Sequence, residues 1–160
     1  MQQSRQQYEP DPHIQCGYID ASDNVIVRYQ KDALRCFGYT GGHFQRGLWR
    51  LNSDLRRIVW FPRLWKHGAW ENALSADGNV ITEDAGEQAV EGYRIPMNDD
   101  FVDERIVFAK WHDPLGRTVY RFTGVFRKSK AESTGQVTAF RKVSDRFDLR
   151  QRRTLYPEQA

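Results

Sequence analysis

The chain has 160 residues, of which 39% are hydrophobic, 13% aromatic and 28% charged, with a net charge of +3. That length fits one domain, and five Trp, seven Tyr and nine Phe exclude a disordered chain, because such chains are poor in aromatics. No run approaches the roughly 20 apolar residues of a membrane helix, and the opening MQQSRQQYEPDPH lacks the apolar core of a secretory signal.

In chain order, residues 1–12 are polar, contain Pro10 and Pro12, and are expected to form a flexible arm. A single globular domain is expected over 13–148 and a basic tail over 149–160. Residues 14–20 (IQCGYID) and 24–29 (NVIVRY) flank Ala-Ser-Asp-Asn and read as a hairpin. Residues 31–37 (KDALRCF) have helical character, ended by the glycine pair in Tyr-Thr-Gly-Gly. Residues 55–61 (LRRIVWF) predict a strand closed by Pro62, and Asp77-Gly78 signals a turn before a short strand at 79–82 (NVIT). The segment 83–103 is acidic and reads as a loop.

The clearest element is a hairpin. Residues 104–112 (ERIVFAKWH) and 117–128 (RTVYRFTGVFRK) flank Asp113-Pro114-Leu115-Gly116, whose Pro and Gly suit a type I turn. Period-two alternation places Ile106 and Phe108 on one face and Val107, Ala109 and Trp111 on the other. In the second strand it groups Tyr120, Phe122 and Phe126, against Val119, Arg121, Val125 and Arg127. Gly124 interrupts that apolar row and marks a bulge or a barrel corner. A polar loop at 129–135 leads to a third strand at 136–143. The fold class is therefore α+β and β-rich: a curled antiparallel sheet or partly open β-barrel with one or two short helices.

Charge is distributed in blocks. Residues 46–70 carry six basic side chains against Asp54, 71–104 carry ten acids against Arg94, and 105–160 carry thirteen basic against five acidic. Such a chain is expected to present a basic face that attracts phosphate backbones. An equal expectation is that opposite blocks pair with each other. Four of the five Trp (Trp49, Trp60, Trp65, Trp70) fall in the first basic block. Interleaved aromatics and cations suit nucleic acid, because rings stack on exposed bases while Arg and Lys hold phosphates. Trp60, inside a predicted strand, is assigned to the core.

The segment 105–130, through Tyr120-Arg121-Phe122 and Gly124-Val125-Phe126, resembles strand-turn-strand portions of PUA-like β-barrel domains. These include reader modules attached to modification-dependent restriction enzymes. The resemblance implies a barrel that reads nucleic acid with an aromatic pocket for an altered or unstacked base, and it transfers no catalytic residue.

The leading reading is a nucleic-acid-binding module for DNA or RNA. Arg50, Arg63, Lys66, Lys110, Arg117, Arg121 and Arg127 are the expected phosphate contacts, and Trp65, Trp70 and Trp111 the expected stacking faces. A separate effector protein is a second kind of partner; no membrane, cofactor or metal is expected. His13, His43, His67 and His112 are widely separated, and neither cysteine has metal-ligand spacing. Cys16 and Cys36 cannot build a disulfide framework, which makes a reducing cytoplasm the expected compartment. Two other classes compete. One is a protein-interaction domain using the acidic loop 83–104, including Asp99, Asp100 and Asp103. The other is a small hydrolase or nuclease built around His67 or His112 and nearby acids.

Overall fold

The computed structural model describes residues 8–51, 57–64, 71–84 and 104–151. Its elements, in chain order, are α1 (Asp11–Cys16), β1 (Tyr18–Asp20), β2 (Ile26–Val27), α2 (Gln30–Arg35), β3 (Leu48–Arg50), β4 (Arg57–Trp60), β5 (Glu71–Leu74) and β6 (Val80–Asp84). Then come β7 (Glu104–His112), β8 (Thr118–Thr134), β9 (Val137–Ser144) and β10 (Arg146–Asp148). The large sheet has the order β3-β4-β7-β8-β9-β6-β5, with β2 also pairing to β8, while β1 and β10 form a separate two-stranded sheet. The β-rich α+β class read from the sequence is the one found. One pairing departs from an all-antiparallel sheet: β4 runs parallel to β7, from Arg57↔Glu104 to Trp60↔Val107. Among the described residues no helix is long and apolar enough to cross a membrane.

β7 is central because its sequence is apolar on both sides. Arg105 through Ala109 are buried in succession, the continuous pattern of a strand covered on both faces. Ile106 and Phe108 point into a core shared with Tyr120, Phe122, Leu34, Phe37 and Phe147, roofed by α2 and the small sheet. Val107 and Ala109 point the other way, into a core of Trp60, Ile81, Phe126 and Phe140. That second core is built from strand residues, with Leu64 packed beside it.

The second face is concave. Trp60 of β4 and Phe140 of β9 are three inter-strand spacings apart, about 14 Å on a flat sheet. Their ring centroids are only 5.1 Å apart, so the sheet curls over them. Irregularities in β8 produce the bend. The register with β7 steps from Val107↔Gly124 to Phe108↔Phe122, leaving Thr123 unpaired. Gly124 takes φ 132, and a Cβ there would stand 2.9 Å from the Lys142 side chain and 3.0 Å from the Ser144 carbonyl oxygen, so only glycine fits.

Gly124 is thus the interruption that the alternation flags, but alternation alone misplaces the residues after it. A one-residue slip inverts every side chain beyond it. Val125 therefore joins Tyr120 and Phe122, whereas Phe126 lies in the opposite core. The loop expected at 129–135 is also corrected: β8 continues to Thr134, and its extra residues are absorbed by a register shift between Ser129 and Thr134.

The expected hairpin over 14–29 does not form. Pro10 is buried and α1 starts at Asp11, ending where Gly17 adopts φ 87 and donates its N–H to the His13 and Ile14 carbonyls. The side chain of Asp20 then accepts from the Ser22 N–H at 2.9 Å and turns the chain. β1 pairs with β10 through Ile19↔Phe147, and β2 with β8 through Val27↔Tyr120. The two segments, adjacent in sequence, lie in different sheets. β3 and β5 have no counterpart among the expected strands. Both are short and take their partners from neighbouring strands, since β3 pairs with β4 and β5 with β6.

Candidate nucleic-acid interface

The curled face carries two polar side chains that its apolar neighbours do not explain. β5 pairs with β6 so that Asn72 lies opposite Glu83 and Leu74 opposite Ile81. Residues two apart share a face, so Asn72 and Glu83 point to the side on which Ile81 and Leu74 meet the second core. Asn72 is 5% exposed, and its side-chain Oδ1 is buried with no hydrogen-bond partner among the described residues. A buried acceptor left unpaired costs about 1–3 kcal/mol, which marks a place where something else is meant to donate.

Arg105 is the second. It is 5% exposed, and its guanidinium carbon lies 4.7 Å from the Trp60 ring centroid and 4.2 Å from that of Phe140. The cation is held by the two ring faces, an interaction worth about 2 kcal/mol or more once desolvated. Trp60 is accordingly core, as its strand position predicts, but core of a kind that positions a charge beneath the concave surface.

Along the same face lies a cleft of about 260 Å³ whose lining includes Leu64, Leu74, Gly78, Ala109, Trp111 and Arg121. Leu74, which lines the cleft, is two residues and about 7 Å along β5 from Asn72, which does not. Trp111 is 50% exposed at its edge, a large aromatic surface open to a ligand. Arg121 is steadied there by donating from Nη2 to the Asn24 side-chain oxygen at 2.9 Å.

The structure thus gathers two of the expected residues, Trp111 and Arg121, on one face. It places Lys110 on the opposite side of β7, beside Arg63 through a parallel bridge. Burial lowers the Lys110 pKa below the ordinary lysine value, and the neighbouring Arg63 charge lowers it further. Arg50 is exposed at the end of β3. Arg117 is paired with Asp113 at 2.8 Å, and Arg127 with Glu104 at 2.7 Å, a carboxylate that also holds Arg57 at 3.1 Å. The Glu104 pairs join the acidic block to both basic blocks, as the competing expectation held, whereas Arg117 and Asp113 pair within one block. Trp65, Lys66 and Trp70 lie outside the described residues, as do His67 and residues 85–103 of the acidic segment. His112 is exposed on β7. Among the described residues no group of three or more His, Cys, Asp or Glu could hold a metal ion.

Sequence reasoning missed Asn72 and Arg105, and placed Glu83 in an acidic loop where the structure has it on β6. The signal was present for Arg105: in ERIVFAKWH it heads the row Arg105-Val107-Ala109-Trp111, a charge on an apolar stripe. For Asn72 the signal was the Asp77-Gly78 turn, which implies a preceding strand and puts Asn72 in line with Leu74.

An open, curled, β-rich domain with aromatic and cationic side chains on its concave side has the form of a DNA-recognition module. The chain belongs to the SRA (SET and RING associated) domain family, whose model matches residues 13–149. SRA domains have a PUA-like fold, bind DNA and recognise modified cytosine, which bears out both the resemblance and the nucleic-acid-binding reading. Among solved structures, the 5-hydroxymethylcytosine-specific restriction enzyme AbaSI is similar at 31% identity and a TM-score of 0.80, over 90% of this chain and 46% of that one. The chain therefore spans about half the length of AbaSI. The DNA recognition domain of the cytosine modification-dependent restriction endonuclease LpnPI shares the fold, with a TM-score of 0.55 at 10% identity over 94% of this chain and 85% of that one. No curated protein matches.

Proposed function

We propose that this chain reads a modified cytosine in duplex DNA, turned out of the stack and received on the curled face. The observation that carries the reading is the buried, unpartnered Oδ1 of Asn72. An amide oxygen accepts a hydrogen bond, and the exocyclic amine of cytosine is a donor. Glu83, directly across on β6, supplies a second acceptor beside it. The Trp60–Arg105–Phe140 stack is the floor of this site. Turning a base out costs a few kcal/mol, and stacking on an aromatic ring returns about 1–3 kcal/mol. Trp111 at the edge of the cleft is assigned that stacking, together with Trp65 and Trp70, which precede Asn72 in the chain.

Arg50, Arg63, Lys66, Lys110 and Arg121 are assigned to the DNA backbone. Arg117 and Arg127 join them with guanidinium groups that stay paired to the buried Asp113 carboxylate and to Glu104. By its similarity to AbaSI, an enzyme specific for 5-hydroxymethylcytosine, the preferred base is 5-hydroxymethylcytosine. The chain supplies recognition, and cleavage, where it occurs, comes from a nuclease domain or effector acting with it.

The test is a titration of labelled duplexes that differ only at one central base: cytosine, 5-methylcytosine or 5-hydroxymethylcytosine. The modified duplexes are expected to bind more tightly, with 5-hydroxymethylcytosine first. Asn72→Leu is expected to weaken binding of the modified duplexes about ten-fold, equivalent to about 1.4 kcal/mol; the amine it no longer receives is common to all three bases, so any duplex whose cytosine is turned out onto this face weakens with them. Equal affinity of the wild-type chain for all three duplexes would overturn the reading.

A further inference from the structure

The curled face is not the only place built for a polar ligand. On the opposite side of β7, a cavity of about 240 Å³ is lined by residues that include Arg28, Tyr29, Lys31, His43, Lys110 and Tyr120. Four of these six are basic, and among the described residues no acidic one lines the cavity.

The cations are held in place by the protein; the Lys31 charge is felt by the neighbouring Asp32 carboxyl, which does not line the cavity. Arg28 donates from Nη1 to the Thr118 carbonyl oxygen at 2.9 Å, and its guanidinium carbon lies 5.6 Å from the Tyr29 ring centroid. The Lys31 ammonium lies 5.6 Å from the same ring. Lys110 is half-buried, and among the described residues its ammonium has no carboxylate partner. Arg63 stands beside it through the parallel bridge, adding a second positive charge where repulsion would otherwise keep them apart. Gln30 bonds the Tyr120 hydroxyl at 3.4 Å and accepts the Arg46 N–H at 3.1 Å, fixing the wall between them.

We propose that this cavity is a phosphate-binding site separate from the Asn72 face. Convergent, preorganised cations beside amide and hydroxyl donors are the chemistry that recognises a phosphate. A carboxylate ligand of similar size would find the same charge but offer fewer acceptors to Arg28, Lys31 and Lys110. Two sources bear that group: a phosphodiester of bound DNA, or the phosphate of a free nucleotide. Lys110 and Trp111 are consecutive strand residues and face opposite sides, so the cavity cannot receive the base held on the curled face. The site stands independently of the modified-cytosine reading.

The experiment uses the full chain with inorganic phosphate, deoxycytidine monophosphate and an unmodified duplex as probes. Amide NMR shifts report the first two, and anisotropy at several salt concentrations the third. For a phosphodiester site, Lys110→Gln weakens modified and unmodified duplexes by the same factor and lowers the salt slope by about one. For a free nucleotide site, phosphate and the nucleotide shift Tyr29, His43 and Lys110 saturably. Lys31→Gln then weakens those shifts and leaves duplex binding unchanged, whereas Lys110→Gln abolishes them. Lys31→Gln, at an exposed position, gives the same pattern more weakly and guards against misfolding of the half-buried variant. The proposal is overturned when no probe shifts these residues and neither substitution alters duplex affinity or salt slope. A wild-type chain that binds all duplexes equally would remove the cytosine reading and leave this test intact.

Discussion

The two faces of the large sheet differ in what they bury. Beneath α2 the core is hydrophobic throughout, with Phe37, Phe108 and Phe122 essentially fully buried and packed edge-on or tilted against one another at 5.4–6.1 Å. On the curled side, a core of comparable chemistry admits Arg105 and Asn72 at 5% exposure each. The first face pairs every side chain with a like neighbour. The second accepts an uncompensated amide and a buried cation. A sheet that must only be stable has no reason to do this, so the difference separates the side that holds the fold from the side that meets a ligand.

Truncation on the helix-covered side should have the largest effect. Phe108→Ala opens a void among Phe37, Phe61 and Phe122, with an expected loss of about 3–5 kcal/mol of unfolding free energy. For a domain of this size that is a large share of total stability, and chemical denaturation should show it as a lowered midpoint. Retained stability would mean that this core carries less of the fold than its packing indicates.

The next substitution should move stability in the opposite direction. Asn72→Leu replaces an unsatisfied buried amide with an apolar side chain beside Leu74 and Ile81, and is expected to stabilise the free chain by about 1–2 kcal/mol. The same substitution is the one expected to weaken binding of a turned-out cytosine about ten-fold. Stability gained together with affinity lost is the signature of a site maintained at the expense of the fold. Loss of both would instead make Asn72 a structural residue.

Much of this architecture was legible in the sequence because β7 and β8 are long and strongly patterned. The turn at Asp113-Pro114-Leu115-Gly116, the facing of Ile106 against Val107, and the interruption at Gly124 all come from local residue types. The facing of Val125 and Phe126, beyond that interruption, was not legible, since period-two reasoning assumes an unbroken ladder and Thr123 falls out of it. The partners of β1 and β2 were hidden for a different reason. Tyr18–Asp20 joins Arg146–Asp148 from the far end of the chain, and no local signal encodes a pairing at that separation. Trp111 and Arg121 were found as isolated candidates, while Asn72 and Arg105 became visible only when the curl brought β4, β5 and β9 around one surface.

The smallest effect concerns the tip where the two faces join. Lys110 and Trp111 leave β7 on opposite sides just before Asp113, so the order of this turn supports both clefts. Asp113 Oδ1 accepts the Leu115 and Arg117 N–H groups at 2.9 Å each. Its Oδ2 accepts Arg117 Nε at 2.8 Å and the Tyr8 hydroxyl at 3.1 Å, which ties residue 8 to the domain. Burial alone would raise this carboxyl, but the hydrogen bonds from Arg117 and Tyr8, with the Arg117 charge, hold its pKa below the ordinary value. A carboxyl depressed in the folded state favours folding above its unfolded value, about 3.9. That contribution disappears as pH falls through the lower, folded value. Thermal melts from neutral pH down to about pH 3 should therefore show the wild-type Tm converging on that of Asp113→Asn as acid protonates the carboxyl. A gap between the two proteins that stays constant with pH would show that the turn is held by the backbone geometry of Pro114 and Gly116, with the charge of Asp113 contributing nothing.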